Sequence, residues 1–292
     1  MSPPRILVLG SNGGLGRCLE RKFAPSGSTT AWTRTDLDLE QPEAIAAKLS
    51  AHPFDVLINP AGLTSPDVCE VEPEKARLAN DEGPRALAEA CHARGARLVH
   101  FSTDYVFSGK SHDLWREHDE ARPANIYGRT KRDGELAVLK VCPDALVARV
   151  SWLFGPTKAS HPDTVIQRAL ETEDLSAVAD KTSIPTSNLD VCEWIEGLLQ
   201  TSASGVLHLC NSGVASWHSW AEAALKIARK IGIPVKTTSV RPIQLAELTQ
   251  LKAPRPLHTV MSNEKLQNLL GREIRNWSVA LEDYLMEKHR PR

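Results

Sequence analysis

Short apolar runs bounded by polar turns recur through the first half of the chain. Arg5-Ile6-Leu7-Val8-Leu9, Asp55-Val56-Leu57-Ile58-Asn59, Arg97-Leu98-Val99-His100-Phe101 and Ala145-Leu146-Val147-Ala148-Arg149-Val150 are too short for helices and lack polar alternation, and Ser28 to Trp32 is a further strand-like segment. That pattern belongs to strands buried on both faces. Between them the apolar spacing turns helical: Leu15, Leu19 and Phe23 recur every four residues, a Pro42-led helix runs through Leu49, and further helices are expected around Gly83 to Arg94 and around Tyr127. Repeated alternation of this kind predicts an α/β fold, a Rossmann-type doubly wound parallel sheet with helices on both faces.

Beyond residue 155 the rhythm loosens. Pro156, Pro162 and Pro185 interrupt it, and a shorter alternation follows in Val206-Leu207-His208-Leu209. Ser219 and Glu222 have the spacing of a capping box, followed by apolar rows at Ala221, Leu225, Ala228 and at Ala224, Ile227, Ile231. Leu266, Leu269 and Leu270 mark one more helix, and Trp277, Leu281 and Leu285 the last. The expected organisation is a nucleotide-binding Rossmann domain over residues 1–154 and a smaller α+β substrate-binding lobe over 155–292, with part of 186–212 returning to the first sheet.

Composition narrows the partners. Lys plus Arg number 35 against 36 Asp plus Glu, so no basic field points to nucleic acid and no polybasic run to a membrane surface. The opening Met1-Ser2-Pro3-Pro4-Arg5 has no apolar signal region and no stretch nears 18 apolar residues, which predicts a cytoplasmic protein. Six cysteines lie scattered without a CxxC pair, and the histidines show no HExxH spacing, so buried free thiols and no metal are expected.

Candidate chemistry gathers at the strand ends. The first run leads into Gly10-Ser11-Asn12-Gly13-Gly14-Leu15-Gly16, a strand, glycine turn and helix that bring backbone amides to a pyrophosphate. Its GxxGxxG spacing differs from the commonest dinucleotide fingerprint, GxGxxG. Asn59-Pro60-Ala61-Gly62, Ser102-Thr103 and Ser151-Trp152 follow later strands and converge on the same crevice. Tyr127 and Lys131 stand four apart, on one helix face, where both meet one bound molecule. A neighbouring ammonium favours the phenolate and brings a phenol of pKa about 10 towards working range as an acid. At the second strand's tip, Ala31-Trp32-Thr33-Arg34 carries no carboxylate for a ribose 2′-hydroxyl, whereas Arg34 suits a 2′-phosphate; NADPH is therefore expected over NADH, with Asp36 the residue that would reverse the preference.

These motifs together carry a family resemblance. GSNGGLG at 10–16, DLD at 36–38, DVLINPAG at 55–62, ARLVHFSTDYVFSG at 96–109, NIYGRTK at 125–131, RVSW at 149–152, PT at 185–186, GVLHLCNSGVASW at 205–217, RP at 255–256 and LGREIRNWSVALEDYL at 270–285 run collinearly along the chain. It resembles the extended short-chain dehydrogenase/reductases and, within them, the dTDP-4-dehydrorhamnose reductase family. The resemblance implies reduction of the C4 keto group of a nucleotide-linked 6-deoxy sugar, most simply dTDP-4-dehydro-rhamnose, with NADPH as cofactor and NADH possible. Tyr127 would protonate the forming alkoxide, Thr103 would hydrogen-bond the same oxygen, and Lys131 would grip the nicotinamide ribose. The implied cofactor contacts are Gly10, Ser11, Asn12, Gly13, Leu15, Gly16, Arg34, Asp38, Leu39, Pro60, Ala61, Gly62, Thr64, Ser102, Tyr127 and Lys131. The implied substrate contacts are Thr103, Asp104, Tyr105, Trp152 and Arg255; for Tyr105 and Trp152 core packing is an equal alternative, for Arg255 a surface arginine fixed beside Pro254 and Pro256 is another, and Asp104 and Tyr105 could instead shape the loop.

Departures from the family pattern lie away from the hydride chemistry. Val260 stands in place of a second phosphate-binding arginine, Val68 in place of a common lysine, and Asp163-Thr164 in place of an Asn-Phe pair. Some members dimerise through a glutamate-bound magnesium; the matching position here is Cys18, so a monomer or weak homodimer is expected. Two other readings stay open: a reductase of a different keto substrate, and a non-catalytic nucleotide-binding regulatory subunit.

Overall fold

The computed structural model describes residues 3–111 and 113–290; Met1 and Ser2 of the chain's opening lie outside them. Strands β1 (Ile6–Leu9), β2 (Thr29–Trp32), β3 (Val56–Asn59), β4 (Arg97–Thr103), β5 (Leu146–Val150) and, much later, β10 (Gly205–His208) form one parallel sheet in the order β10-β5-β4-β3-β1-β2. Alternate side chains explain why these runs are apolar throughout. Ile6, Val8, Val56, Ile58, Val99, Phe101, Leu146 and Ala148 enter one core layer, under α1 (Gly14–Phe23) and α8 (Asn188–Leu199). Leu7, Leu9, Leu57, Leu98 and Val147 enter the other, under α2 (Pro42–Ser50), α5 (Gly83–Arg94) and α6 (Ile126–Val141). The Rossmann-type doubly wound parallel sheet is therefore the architecture, and its winding reverses between β1 and β3.

Between β3 and α5 lie α3 (Pro66–Val71), α4 (Pro73–Arg77) and one turn of π-helix, Leu78–Glu82. Pro84 explains that turn: it has no N–H to donate four residues back, to the Asn80 carbonyl. The bulge lets the Asn80 side chain hold the loop after β3, accepting from Leu63 N at 2.9 Å and donating to Leu63 O at 3.0 Å.

The rest of the chain alternates between supporting this sheet and building a smaller lobe. β6 (Leu153–Phe154) pairs with β9 (Thr186–Ser187), β7 (Leu175–Val178) with β12 (Val240–Ile243), and β8 (Thr182–Ser183) with β11 (Ala215–Ser216). Around them pack α7 (His161–Glu171), α9 (Trp217–Lys230), α10 (Glu264–Leu270) and α11 (Trp277–Lys288). β10 extends the first sheet beside β5, and the Arg97 guanidinium fastens α8 to the start of β4 by donating to the carbonyls of Leu198, Leu199, Thr201 and Ala203.

Two local expectations need correction. Helix α9 is capped by Ser216, not Ser219: Ser219 N donates to Ser216 Oγ at 3.0 Å, and Ser216 N to Ser219 Oγ at 2.8 Å. Starting three residues earlier buries the Trp220 ring, while Glu222 is free to accept from Val240 N. Pro162 does not interrupt a helix but sits in the first turn of α7, where a missing N–H costs nothing.

At the nucleotide loop the backbone closes on itself. A Cβ on Gly16 would lie 2.2 Å from the Gly10 carbonyl oxygen, and Gly10 itself has φ +60°. Gly16→Ala must push the first turn of α1 off β1; we expect a loss of about 1–3 kcal/mol in urea unfolding, the usual range for forced overpacking.

Candidate active site

The carboxyl ends of β1, β3, β4 and β5 open into a cleft of about 650 Å³. On one side stand Gly10, Asn12, Gly13, Leu15 and Gly16, with Gly13 as the N-cap of α1 and no acidic residue in its first turn. The unpaired amides at that helix end therefore face the cleft without a competing carboxylate, the arrangement that receives a phosphate. The turn itself requires glycine: a Cβ at Gly16 would lie 2.2 Å from the Gly10 carbonyl oxygen, and one at Gly10 3.0 Å from the Ala61 Cβ.

Tyr127 and Lys131 reach the cleft from α6, whose N-terminus is set by Asn125: its Oδ1 accepts from Gly128 N at 2.8 Å and its Nδ2 donates to Pro254 O at 2.8 Å. Gly128 brings that helix onto β4, because a Cβ there would lie 2.1 Å from the Tyr105 carbonyl oxygen. Lys131 is 4% exposed and its ammonium donates to Phe101 O at 2.6 Å, with His100 Nε2 3.4 Å away. His100 in turn meets Asn59 Nδ2 at 3.1 Å. Burial, and then the Lys131 charge, hold His100 neutral. Burial brings Lys131 down to about 8, with Glu135 one turn further along α6 opposing the shift. Glu135 is itself gripped by the buried Arg149 guanidinium at 2.7 and 2.9 Å.

Burial pushes the Tyr127 phenol up, and a hydrogen bond with Thr103 works in the opposite direction. Without a bound cation the phenol is thus held protonated, as a proton donor. The Thr103 hydroxyl donates to Asp104 Oδ1 at 3.1 Å and accepts from Tyr105 N at 3.2 Å. The Tyr105 and Tyr127 rings meet edge to face at 5.7 Å. Trp152 closes the far wall with φ +40°, the one positive value outside glycine among the described residues, and its ring stacks on Trp220 at 5.7 Å. A strained residue at a strand end beside a cleft is where backbone strain serves a site.

The family is decided by comparison. The model of the RmlD substrate binding domain matches residues 4–290. The chain belongs to the dTDP-4-dehydrorhamnose reductase family. It is 35% identical to the probable dTDP-4,6-dihydroxy-2-methyloxan-3-one 4-ketoreductase of Streptomyces antibioticus, covering 98% of each chain. It is 33% identical to the dTDP-4-dehydrorhamnose reductase of Burkholderia thailandensis, covering 95% of this chain and 96% of that one. Among solved structures, the Bacillus anthracis dTDP-4-dehydrorhamnose reductase in complex with NADP superposes with a TM-score of 0.90 at 29% identity, over 97% of this chain and 99% of that one.

Most residues that this family's pattern singles out meet in the cleft, including Asp38, Leu39, Pro60, Ala61, Gly62, Thr64, Ser102, Thr103, Asp104, Tyr105 and Trp152. Three are placed differently from expectation. Ser11 is buried beneath the glycine turn, its N–H donating to Trp32 O at 3.1 Å, and does not line the cleft. Arg255 does not present a free fork to a diphosphate: it is bound at 2.7 and 3.0 Å by Asp67, whose carboxyl that contact holds down at about 2, and it lies off the cleft wall. Arg34 does line the cleft, but its guanidinium is shared with Asp38 at 3.2 Å and Glu40 at 2.9 Å. Asp36 is turned away, accepting from Thr33 N at 2.8 Å and Thr33 Oγ1 at 2.9 Å.

Other wall residues had no motif to announce them. Lys158, Ala159 and Ser160 come from the loop after β6, and Asn188 from the start of α8. That loop reaches the glycine turn through Thr157 Oγ1, which donates to Gly14 O at 2.6 Å, a contact between residues 143 apart in sequence.

Proposed function

We propose that this protein reduces the C4 keto group of a dTDP-linked 6-deoxy sugar with NADPH, the simplest substrate being dTDP-4-dehydro-rhamnose. The single observation that carries the reading is the convergence of Thr103, Tyr127 and Lys131 on the wall of the cleft that the glycine turn opens. The relatives named above and the NADP complex of the Bacillus anthracis protein support the choice of ketone and cofactor. The cofactor, when bound, supplies the hydride. The amides at the head of α1 would hold its diphosphate, and the Lys131 ammonium, fixed on the Phe101 carbonyl, would hold its nicotinamide ribose. Tyr127 gives its phenolic proton to the oxygen of the ketone as negative charge develops there, and the nearby ammonium stabilises the phenolate left behind. No cluster of three or more His, Cys, Asp or Glu suited to a cation exists among the described residues, and the reduction is proposed to run without one.

A second reading, reduction of a differently deoxygenated dTDP-4-keto sugar, is favoured by the Streptomyces antibioticus relative and by the engagement of Arg255 with Asp67. The protein is proposed to act in the cytoplasm as a monomer or weak homodimer, with Cys18 in place of the glutamate expected for a magnesium-bridged dimer. Among the described residues no helix is long and apolar enough to cross a membrane.

Purified protein should oxidise NADPH on addition of dTDP-4-dehydro-rhamnose, unaffected by EDTA, and product analysis against other 4-keto sugars separates the two readings. Tyr127→Phe should lower turnover by roughly 10² to 10⁴ while leaving cofactor binding intact. Retention of near-native turnover would remove Tyr127 as the proton donor.

The pH dependence follows from the signs of two shifts. Burial raises the phenol, so Tyr127 stays protonated across the neutral range; burial lowers Lys131 to about 8, and an amine is charged only below its pKa. kcat/KM for reduction should therefore be level up to about pH 8 and fall above it. A profile that rises through pH 8 contradicts this.

Cofactor choice rests on Arg34. With Asp36 capping Thr33, the guanidinium is the cleft's cation at the β2 tip, and a 2′-phosphate must displace Asp38 or Glu40 from it. NADPH should be preferred, and Arg34→Ala should cut that preference by about tenfold or more, the worth of one or two charge-assisted hydrogen bonds. Preference for NADH in the wild type refutes the assignment.

A further inference from the structure

Behind the substrate-side wall lies a charge with no part in the chemistry described so far. Lys181, at the head of β8, is completely buried at 0% exposure. Its ammonium donates to Pro256 O at 2.5 Å and lies 4.9 Å from the centre of the Tyr105 ring, 5.7 Å from Trp152 and 6.0 Å from Trp217. No carboxylate stands within ion-pair distance of it among the described residues. The ionisable groups that face it are Asp104, Tyr105 and Arg255, the last already satisfied by Asp67. Asp104, 2% exposed, is the acidic one of these and is tied to the same strand: Oδ2 accepts from the Oγ of Ser183, two residues after Lys181, at 2.8 Å and from Thr259 Oγ1 at 2.5 Å, and Oδ1 accepts from Thr103 Oγ1 at 3.1 Å.

Two buried charges of opposite sign on neighbouring loops are each expensive alone and tolerable together. Burial drives Lys181 down to about 8 and Asp104 up, and each is the first of the groups that oppose the other's shift. A further consequence concerns the hydroxyls. An ionised Asp104 only accepts, so Thr103, Ser183 and Thr259 must all turn their protons to it. The Thr103 oxygen is then held with its proton towards Asp104 and a lone pair on the Tyr105 amide, 3.2 Å away. A protonated Asp104 would donate to one of these oxygens and release the Thr103 hydroxyl to rotate.

We propose that Lys181 is a positioning residue for the reduction: its buried charge keeps Asp104 ionised, and Asp104 fixes the orientation of the Thr103 hydroxyl beside Tyr127. The proposal rests on the reading of Thr103 and Tyr127 as reductase residues. Through Ser183, Thr259 and Pro256 the same hub ties the end of β4 to the smaller lobe, so the lobe that would recognise the sugar also sets the hydroxyl next to the proton donor.

The test is a charge-balance cycle of Lys181→Met, Asp104→Asn and the double variant, measured by NADPH oxidation with dTDP-4-dehydro-rhamnose and by thermal unfolding. Lys181→Met should lower kcat at least tenfold with KM for NADPH changed less than twofold. The double variant should be more active than the product of the two single losses allows, because removing both charges leaves a neutral pair. Its loss of melting temperature should likewise be smaller than the sum of the two single losses. Lys181→Gln repeats the cycle if the methionine variant does not fold. Near-native kcat in Lys181→Met, or losses that simply multiply in the double variant, overturns the proposal. The melting cycle needs no substrate. An inactive wild type with coupled melting shifts would refute the reductase reading, and the positioning role of Lys181 with it, while establishing the charge pair; active enzyme with uncoupled shifts removes the charge pair and overturns the proposal while leaving the reductase reading in place.

Discussion

Burial of a parallel sheet on both faces is the constraint from which the site follows. With helices covering both sides, the strands offer polar groups only at their ends, and at the carboxyl ends the chain must turn into loops or helices within a few residues. In this protein that edge is where Gly10, Asn59, Thr103 and Trp152 emerge, so side chains distant in sequence gather without any of them bending the core. The Lys131 ammonium illustrates the economy of the arrangement. Its anchor is the backbone carbonyl of Phe101, close to the end of β4, and β4 is positioned by packing rather than by the lysine.

Close backbone approaches convert this general crevice into a specific one. Gly16 lets α1 begin against the Gly10 carbonyl, and Gly128 lets α6 lie on the Tyr105 carbonyl; in both places a Cβ would come within 2.2 Å of an oxygen. A third approach, Gly134 against the Asn80 carbonyl at 2.0 Å, seats the π-turn on α6. Asn80 then bridges Leu63 and, at 3.2 Å, Thr130, so the loop after β3 and the helix of the proposed proton donor are held by one amide. The site is thereby preorganised by close backbone packing and one buried amide.

The sheet and the cleft were legible in the sequence because each rests on a local pattern: apolar runs for β1, β3, β4 and β5, a glycine turn for the helix end, and a four-residue spacing for Tyr127 and Lys131. What escaped depends on pairings across long sequence separations. No motif marks Lys181, and only the fold encloses it among Tyr105, Trp152 and Trp217. Arg255 reads as a phosphate ligand until Asp67, 188 residues away, claims its fork. The helices α7 and α8 were obscured by prolines taken as interruptions, although Pro162 sits in a helix's first turn. The π-turn did have a signal, Pro84 four residues after Asn80, but nothing in the sequence gives the bulge a purpose until Leu63 and Thr130 are seen beside it.

The two sides of the cleft differ in how they use charge. The glycine-turn side sets the backbone amides at the head of α1 beside one cation, Arg34, which Asp38 and Glu40 share. The opposite wall is built from aromatic rings backed by buried charges: Lys181 behind Tyr105 and Trp152, and Arg255 paired with Asp67. A wall of that kind tolerates changes in its surface more easily than in its balance, because removing one member leaves a buried charge exposed to the interior while an aromatic face accepts sugars of varied substitution.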